Sequence, residues 1–256
     1  MSILEAVALL VAAFCAGSIN AVAGGGSLIS FPALIAFGYP AKTANVTNTV
    51  ALWPGYVSGS LAYRPELRRQ KDRVMRLLVP TVLGALLGSV ILLSTSEAAF
   101  ESIVPFLIIF ACGLMIFQDQ LAAVASEHRL VMTDGAGVPW PLYVTTFLAA
   151  VYGAYFGAGL GILILAFLVI MIPDDIQHSN ALKGMLSLLI NAVAVAYFAF
   201  FGPVEWAPAA VMAVGAIAGG YLGVGFARRL GAVWLRRVVI VYGLTVAAIL
   251  LARMAM

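Results

Sequence analysis

Charged residues are scarce in this sequence: they make up 10% of its 256 residues, while 63% are hydrophobic. A soluble globular domain carries about 25% charged residues, so the composition excludes that class. Apolar runs of about 20 residues, the length of a transmembrane helix, recur along the chain. A transmembrane β-barrel would instead alternate polar and apolar residues in strands of about ten. The composition therefore predicts an all-α polytopic membrane protein that lies in the lipid bilayer.

Carboxylates are missing from the middle of every predicted span. The eleven acidic residues fall in predicted loops or near segment ends: Glu5, Glu66, Asp72, Glu97, Glu101, Asp119, Glu127, Asp134, Asp174, Asp175 and Glu205. Buried acids are the usual proton relays and sodium ligands of transporters. Their absence disfavours coupling through a buried acid, and it disfavours a cation as the substrate.

Cysteine is also rare, and Cys15 and Cys112 lie in apolar segments without the spacing of a metal site. The sequence shows no metal-ligand cluster, no nucleophile–base pair and no phosphate-binding loop. A membrane-embedded enzyme is therefore disfavoured, and we expect no metal and no cofactor. The net charge of +3 comes from basic residues gathered in two stretches. This pattern indicates membrane topology, and we expect no nucleic-acid partner.

Two of the apolar segments are too long for a single span. The segments run over 3–37, 41–63, 74–94, 98–117, 139–172, 176–201, 204–227 and 233–252. As straight helices, the first and fifth would be roughly 50 Å long. Each contains a glycine-rich stretch that should break a helix, Gly24–Gly26 in the first and Gly157–Gly161 in the fifth. Each is either a bent hairpin that enters and leaves on one side, or a span followed by a half-helix.

The basic residues predict the topology. The loops 64–76 and 228–237 hold most of the arginines, which marks them as cytoplasmic under the positive-inside rule. The loops 94–97 and 202–206 have no basic residue and are expected outside. An inside residue 138 and an outside residue 202 require an odd number of crossings between them. The overlong segment 139–172 is therefore the best candidate for a hairpin.

This topology predicts two inverted repeats, each made of a broken, re-entrant helical hairpin and three transmembrane helices. The repeats are 1–117 and 139–256, joined by a cytoplasmic loop at 118–138. Asn45 near the start of segment two corresponds to Asn180 near the start of segment six. The spacing Gly84-x-x-x-Gly88 in segment three returns as Gly215-x-x-x-Gly219-x-x-x-Gly223 in segment seven. Small residues at such spacing also serve close helix packing, so these matches leave that simpler explanation open.

The glycine motifs and the polar residues after them resemble those of the sulfite exporter TauE/SafE family. The matching residues are Gly17, 23–27, 32–34 and 44–49 in the first half, and Gly153, 157–161, 180–183 and Asn191 in the second. The resemblance covers nearly the whole chain. It implies secondary transport of small sulfur-containing anions such as sulfite, sulfonates and sulfoacetate, in the bacterial inner membrane. Leu160 stands where a glycine run is more typical, which bears on the substrate more than on the fold.

Lys183 is the most informative single residue. It lies inside segment six, where a cation costs about 2.5–3.5 kcal/mol to insert. The functional interpretation is a fixed positive charge for an anionic substrate. The alternative is a lysine that extends its stem to the cytoplasmic surface.

The helix breaks suggest the rest of the site. Helices that start near Ser27 and Gly161 would present free N–H groups and positive dipole ends to an anion. The alternative is that the glycines serve only tight helix crossing. Nearby amides and hydroxyls would bind anion oxygens or tie helices together. The candidate substrate-binding residues are Asn20, Gly24, Gly25, Gly26, Ser27, Asn45, Asn48, Thr49, Gly157, Gly159, Gly161, Asn180, Lys183 and Asn191.

The sequence therefore favours a secondary transporter or exporter of small sulfur-containing anions, working by alternating access around a midplane site at the two breaks. The alternative is an anion channel, or a carrier of another oxyanion or a carboxylate. A purely structural membrane protein would not explain two corresponding breaks and a lysine inside a span. The expected partner is a small anion. Homo-oligomerisation, transport direction and the coupling ion are left open.

Overall fold

The computed structural model describes residues 1–22, 24–61, 64–127, 138–172, 176–230 and 232–255. Every regular element in these ranges is a helix. In chain order they are α1 (Ile3–Val22), α2 (Ser27–Ala36), α3 (Ala41–Leu61), α4 (Arg64–Arg69), α5 (Lys71–Ser94), α6 (Glu97–Glu127), α7 (Trp140–Tyr155), α8 (Leu160–Met171), α9 (Ile176–Phe201), α10 (Trp206–Leu230) and α11 (Ala232–Ala255). The all-α prediction is confirmed.

Both overlong segments are hairpins. The first forms α1 and α2, and the Tyr39 hydroxyl just after α2 donates to Glu5 Oε1 at the start of α1, at 2.6 Å. The second forms α7 and α8, and Thr145 Oγ1 in α7 lies 3.7 Å from Met171 Sδ at the end of α8. The two ends of each segment thus lie next to each other, so each segment is a hairpin.

The first hairpin opens at the end of the molecule that carries the loops without basic residues. The backbone N–H of Lys42, which follows this hairpin, donates to Glu97 Oε1 at 2.8 Å. One turn and a half further along α3, Thr47 Oγ1 accepts from the N–H of Glu205 at 3.0 Å. The turns at 94–97 and 202–206 therefore meet the same end of α3.

The second hairpin opens at the opposite, basic end. Gln70, between the arginine-rich α4 and the start of α5, donates from Nε2 to the carbonyl of His178 at 2.9 Å. His178 lies in the first turn of α9, soon after α8 ends. Since the two hairpins open toward opposite ends, the halves are inverted repeats, as the sequence predicts.

The helices of the two halves are exchanged. The first helix of each half packs on the other half, with α1 against α10 and α7 against α5. At the centre α3 packs against α9, and α6 packs against α11. If each helix is replaced by its equivalent in the other half, the pair α1–α10 becomes the pair α7–α5, whereas α3–α9 and α6–α11 stay the same pairs. This is the pattern of two halves related by a two-fold axis.

Glycines of the matched motifs make these exchanged crossings possible. A Cβ on Gly88 of α5 would strike the carbonyl of Val151 in α7. In the other half, a Cβ on Gly219 of α10 would strike the carbonyl of Phe14 in α1. Small residues allow this close approach of helix backbones. For these glycines the packing explanation is the right one.

Five helices in the described ranges are long and apolar enough to cross a membrane: α1, α5, α6, α9 and α11. The hairpin helices α2 and α8 are shorter, as is the apolar part of α10 (Trp206–Leu222).

The polar residues Asn45, Asn48 and Thr49 of α3 are buried, and α3 is covered by α1, α2, α6, α9 and α10. This central helix is enclosed by protein rather than by lipid.

Three predicted loops are helical where the structure describes them. The helix α6 continues through 118–127, and Arg236 of α11 forms an ion pair with Asp119 in this extension. The basic stretches 64–76 and 228–237 are ends of helices rather than loops, because their arginines lie in α4, α5, α10 and α11. Residues 128–137 of the predicted connecting loop lie outside the described residues, as do Ala23, Asp174 and Asp175.

Candidate functional site

Left-handed glycines form both helix breaks. Gly24 and Gly25 have φ of +75° and +85°, and Gly157 and Gly159 have +78° and +76°. Residues with a side chain rarely adopt these angles, whereas glycine does so at no steric cost. The glycines are therefore required for the backbone to leave one helix and start the next within a few residues.

The two breaks lie against each other. A Cβ placed on Gly24 would lie 3.5 Å from Ile162 Cγ1 and 3.8 Å from the backbone nitrogen of Ile162, in the first turn of α8. The rings of Phe31 in α2 and Phe156 in the second break pack edge to face, with centroids 5.5 Å apart. The structure thus brings together the glycine stretches that the sequence placed in separate halves.

One helix, α6, borders both breaks. A Cβ on Gly25 would lie 2.9 Å from Met115 Sδ. A Cβ on Gly159 would lie 3.5 Å from both Ala111 Cβ and Leu114 Cδ1, which precede Met115 on the same helix. These contacts make α6 a shared apolar wall, and the polar side of the site must lie elsewhere.

A side chain from the preceding helix caps the first break. Asn20, in the last turn of α1, accepts a hydrogen bond at Oδ1 from the N–H of Gly26, at 2.7 Å. Gly26 directly precedes α2, whose first residue, Ser27, is buried. Asn20 thus satisfies one of the N–H groups at the start of α2, which is a capping role.

The second break is held from the other half. Asn45 of α3 donates from Nδ2 to the carbonyl of Tyr155, the last residue of α7, at 2.9 Å. The Tyr152 hydroxyl donates to the carbonyl of Ala158 inside the break. Among the residues that the structure describes, no backbone carbonyl accepts from the N–H groups of Ala158, Gly159 and Gly161. The start of α8 therefore has donors to offer to a ligand.

Lys183 lies beside these donors. A Cβ placed on Gly161 would lie 3.7 Å from Lys183 Cδ, so the lysine stem runs along the first turn of α8. Its Nζ donates to Asn180 Oδ1 at 3.0 Å. Within the described ranges, no carboxylate lies at ion-pair distance from this amine. The aliphatic part of Lys183 therefore packs against the second break, and its amine donates to a neutral amide, that of Asn180.

The packed helices α3 and α9 carry several buried polar atoms that have no hydrogen-bond partner among the described residues. On α3 these are Asn48 Oδ1, Trp53 Nε1 and Ser60 Oγ, and on α9 they are Ser179 Oγ and Ser187 Oγ. Ser60 faces α9, since a Cβ on Gly184 would lie 3.8 Å from Ser60 Oγ. Unpaired buried polar atoms are costly, so such a group is typical of a site that receives a polar ligand.

Ser60 and Ser187 were not among the residues predicted from the sequence. A signal for Ser187 was present, because Asn180, Lys183, Ser187 and Asn191 recur every three or four residues and so share one face of α9. Ser60 follows Tyr56 by one turn on α3 in the same way. Predicted residues Thr49 and Asn191 bond within their own helices, to the carbonyls of Asn45 at 3.0 Å and Ser187 at 2.8 Å.

The site is asymmetric, although equivalent positions of two repeats form it. The same sequence spacing separates Gly24 from Gly159, Gly26 from Gly161, Asn45 from Asn180, and Asn48 from Lys183. The first half therefore has a neutral amide where the second half has an amine.

Comparison with known proteins finds membrane transporters. The family model described as Sulfite exporter TauE/SafE matches residues 9–250. A probable membrane transporter protein of Haemophilus influenzae is 29% identical over 238 residues, which cover 91% of each chain. The probable membrane transporter protein ORF9 of a Sinorhizobium species is 28% identical over 251 residues, covering 95% of this chain and 91% of that protein.

A third relative, the probable membrane transporter protein YfcA of Escherichia coli, is 24% identical over 216 residues, covering 84% of this chain and 78% of that protein. No solved structure matches the chain. The family match includes both helix breaks and all the candidate site residues. The chain is a membrane transporter and belongs to the sulfite exporter TauE/SafE family.

Proposed function

We propose that the protein is a secondary transporter of small sulfur-containing anions of the sulfite, sulfonate or sulfoacetate type. The observation that carries this proposal is the position of Lys183, whose stem lies along Gly161 at the start of α8. Gly24, in the glycine break of the other half, lies against Ile162 in the same turn of α8. One amine and two broken helices thus converge in one place.

The chemistry of this place suits an anion. The start of a helix carries free N–H groups and a partial positive charge, which together bind oxyanions. The N–H groups of Gly159 and Gly161 are of this kind, and the ammonium of Lys183 adds a full charge. A carboxylate that would repel the ligand is absent near Lys183 in the part of the chain that the structure describes. The three oxygens of a sulfonate would take these donors together.

The inverted repeats support alternating access as the mechanism. The two hairpins open toward opposite ends of the molecule, and their breaks meet between them. Rocking one half against the other would expose this meeting point to each side in turn, as in transporters built from inverted repeats. We place the protein in a bacterial cytoplasmic membrane with the ends 64–76 and 228–237 facing the cytoplasm, because basic residues mark that side.

The experiment is thermal unfolding of the purified protein with a panel of sulfite, methanesulfonate, sulfoacetate, acetate and nitrate. A ligand that binds only the folded state stabilises it by about 2.7 kcal/mol at 100 times its dissociation constant. We expect stabilisation by the sulfur anions, lost in Lys183→Met. The matched control is Lys42→Met, since the Lys42 ammonium donates to the Thr95 carbonyl at one end of the molecule.

Stabilisation that survives in Lys183→Met would place the site elsewhere. Stabilisation by acetate or nitrate, without any response to the sulfur anions, would show a carrier of another anion. Saturable flux in proteoliposomes would separate a carrier from a channel.

A further inference from the structure

We propose that Lys183 carries one proton across the membrane with each anion, so that transport is coupled to protons through an amine. The inference rests on the proposed function, because it concerns the same site and needs an anion to bind there. It assigns the coupling ion, because the middle of the predicted spans contains no carboxylate that could carry a proton.

The surroundings of Lys183 favour a neutral amine when the site is empty. Its Nζ donates to the neutral Asn180 Oδ1, and no described carboxylate lies at ion-pair distance. Its stem lies on the first turn of α8, and the positive end of that helix dipole repels an ammonium. A charge in such an interior is costly unless a counter-ion accompanies it.

An anion at the start of α8 supplies the missing counter-ion. The protonated amine and the bound anion then stabilise each other, and each is disfavoured without the other. This reciprocity is thermodynamic linkage between two ligands, the proton and the anion. The site therefore favours the two bound together or neither.

The neighbouring helices carry the other groups that could take up this proton. The helices packed on α9 are α3, α4, α5, α7 and α8, and α8 has no titratable residue. The described titratable groups on the others, together with those on α9 itself, are Lys42, Tyr56, Glu66, Arg68, Arg69, Lys71, Asp72, Arg73, Arg76, Tyr143, Tyr152, Tyr155, His178 and Tyr197. Glu66 and Asp72 are the carboxylates in this set, and both lie at the basic end with α4 and the start of α5. Neither pairs with Lys183.

The proton balance of one cycle is simple. As the anion enters from one side, Nζ takes a proton from water on that side. When the anion leaves on the other side, Nζ returns the proton to water there. A monoanion and a proton then move together and their charges cancel, so the cycle is electroneutral.

The test uses methanesulfonate, because this anion does not itself take up protons near neutral pH, whereas sulfite does. The full-length protein in detergent is titrated by calorimetry in two buffers of different ionisation enthalpy, across a range of pH. We expect proton uptake that approaches one per anion at alkaline pH. The apparent dissociation constant should then rise tenfold per pH unit, since each unit removes a tenfold fraction of the protonated amine.

Two variants sharpen the test. Lys183→Arg keeps a permanent positive charge, because arginine stays protonated at any working pH. It should bind methanesulfonate without proton uptake and with an affinity independent of pH. Glu66→Gln removes a carboxylate from α4, which packs on α9, and should behave like the wild type.

Several outcomes would overturn the inference. Wild-type protein that binds methanesulfonate with no proton uptake and a constant affinity would do so, while leaving the proposed function intact. Unchanged proton uptake in Lys183→Arg would move the proton to another group. Failure of the wild type to bind any sulfur anion would remove both proposals.

Flux measurements on the wild type do not depend on the variants folding. In proteoliposomes, a pH gradient should drive methanesulfonate accumulation, and clamping the membrane potential should leave it unchanged. Flux that follows the membrane potential and ignores the pH gradient would contradict the inference.

Discussion

Left-handed glycines form both helix breaks, adjacent in the first (Gly24 and Gly25) and one residue apart in the second (Gly157 and Gly159), but the chemistry around the two breaks differs. Both use two left-handed glycines, and both lie against α6. The first is closed within its own half by the Asn20 side chain. The second is held by Asn45 from the other half, and Lys183 lies beside it. The repeat therefore duplicates the scaffold, while the charge belongs to one half alone.

This difference separates structural from functional positions. A feature present in both halves, such as the close crossings at Gly88 and Gly219, serves the fold. A feature present in one half, such as the amine of Lys183 opposite the amide of Asn48, is free to serve the substrate. A change in one half can therefore be compared with a matched change in the other half.

The largest effect is expected at the glycines that begin the two half-helices. Gly26→Ala would place a methyl group against the backbone carbonyl of Ala16, which cannot move away. Gly161→Ala would place it 3.7 Å from Lys183 Cδ, an ordinary contact. We expect Gly26→Ala to lower the free energy of unfolding by about 3 kcal/mol, the upper range for overpacking. Gly161→Ala should change it little, as measured by thermal unfolding in detergent.

Equal destabilisation by the two alanines would show that the breaks are sterically equivalent. It would contradict the tighter packing of the first break.

A smaller effect, on binding rather than stability, is expected from moving the charge between halves. Lys183→Asn should weaken anion binding by about 2 kcal/mol, the contribution of a hydrogen bond to a charged group. The double variant Asn48→Lys with Lys183→Asn should recover part of this loss, because residue 48 holds the equivalent position in the first half. Calorimetric titration with methanesulfonate measures both.

No recovery in the double variant, when it is folded, would mean that the second break is needed as well as the charge. Asn48→Lys alone, with two amines, is the control for a general effect of added charge.

The smallest effect is expected at the open ends of the hairpins. The hydrogen bond to the Glu5 carboxylate raises the pKa of Tyr39 to about 12. This stabilisation is complete below the ordinary tyrosine pKa of about 10 and is lost as the pH rises through about 12. At neutral pH, Tyr39→Phe should therefore lower the melting temperature by about 2 °C.

Thr145→Val is the matched change in the second hairpin. Its hydroxyl lies 3.7 Å from Met171 Sδ and also bonds within α7, so we expect no measurable shift. A larger shift for Thr145→Val than for Tyr39→Phe would reverse the ranking of the two hairpin ties.

Much of the fold is predictable from the sequence because membrane helices are recognised by their length and composition. The triple glycine and its later counterpart predict the breaks, and arginine placement predicts the opposite orientation of the halves.

Helix ends were harder to predict. The α6 helix runs ten residues beyond its apolar segment, and an ion pair between Asp119 and Arg236 supports this extension. Hydropathy alone does not register such a pair.

The candidate site was predictable only where a residue type was unusual for its surroundings. Lys183 stands out as a charge within an apolar helix. Asn20 stands out in the same way, but its contact with Gly26 gives it a capping role that sequence spacing does not reveal. Ser60 and Ser187 are common residues in membrane helices, so their unpaired hydroxyls become visible only when α3 and α9 are packed together.

The contact between α1 and α10 has a consequence for how the protein is made. The groove in α10 that receives Phe14 is synthesised about two hundred residues after Phe14 itself, so α1 must wait in the membrane for α10. A chain that stops after α9 would leave this helix without its partner. The exchange of helices thus lets the first half complete its packing only after most of the second half has been inserted.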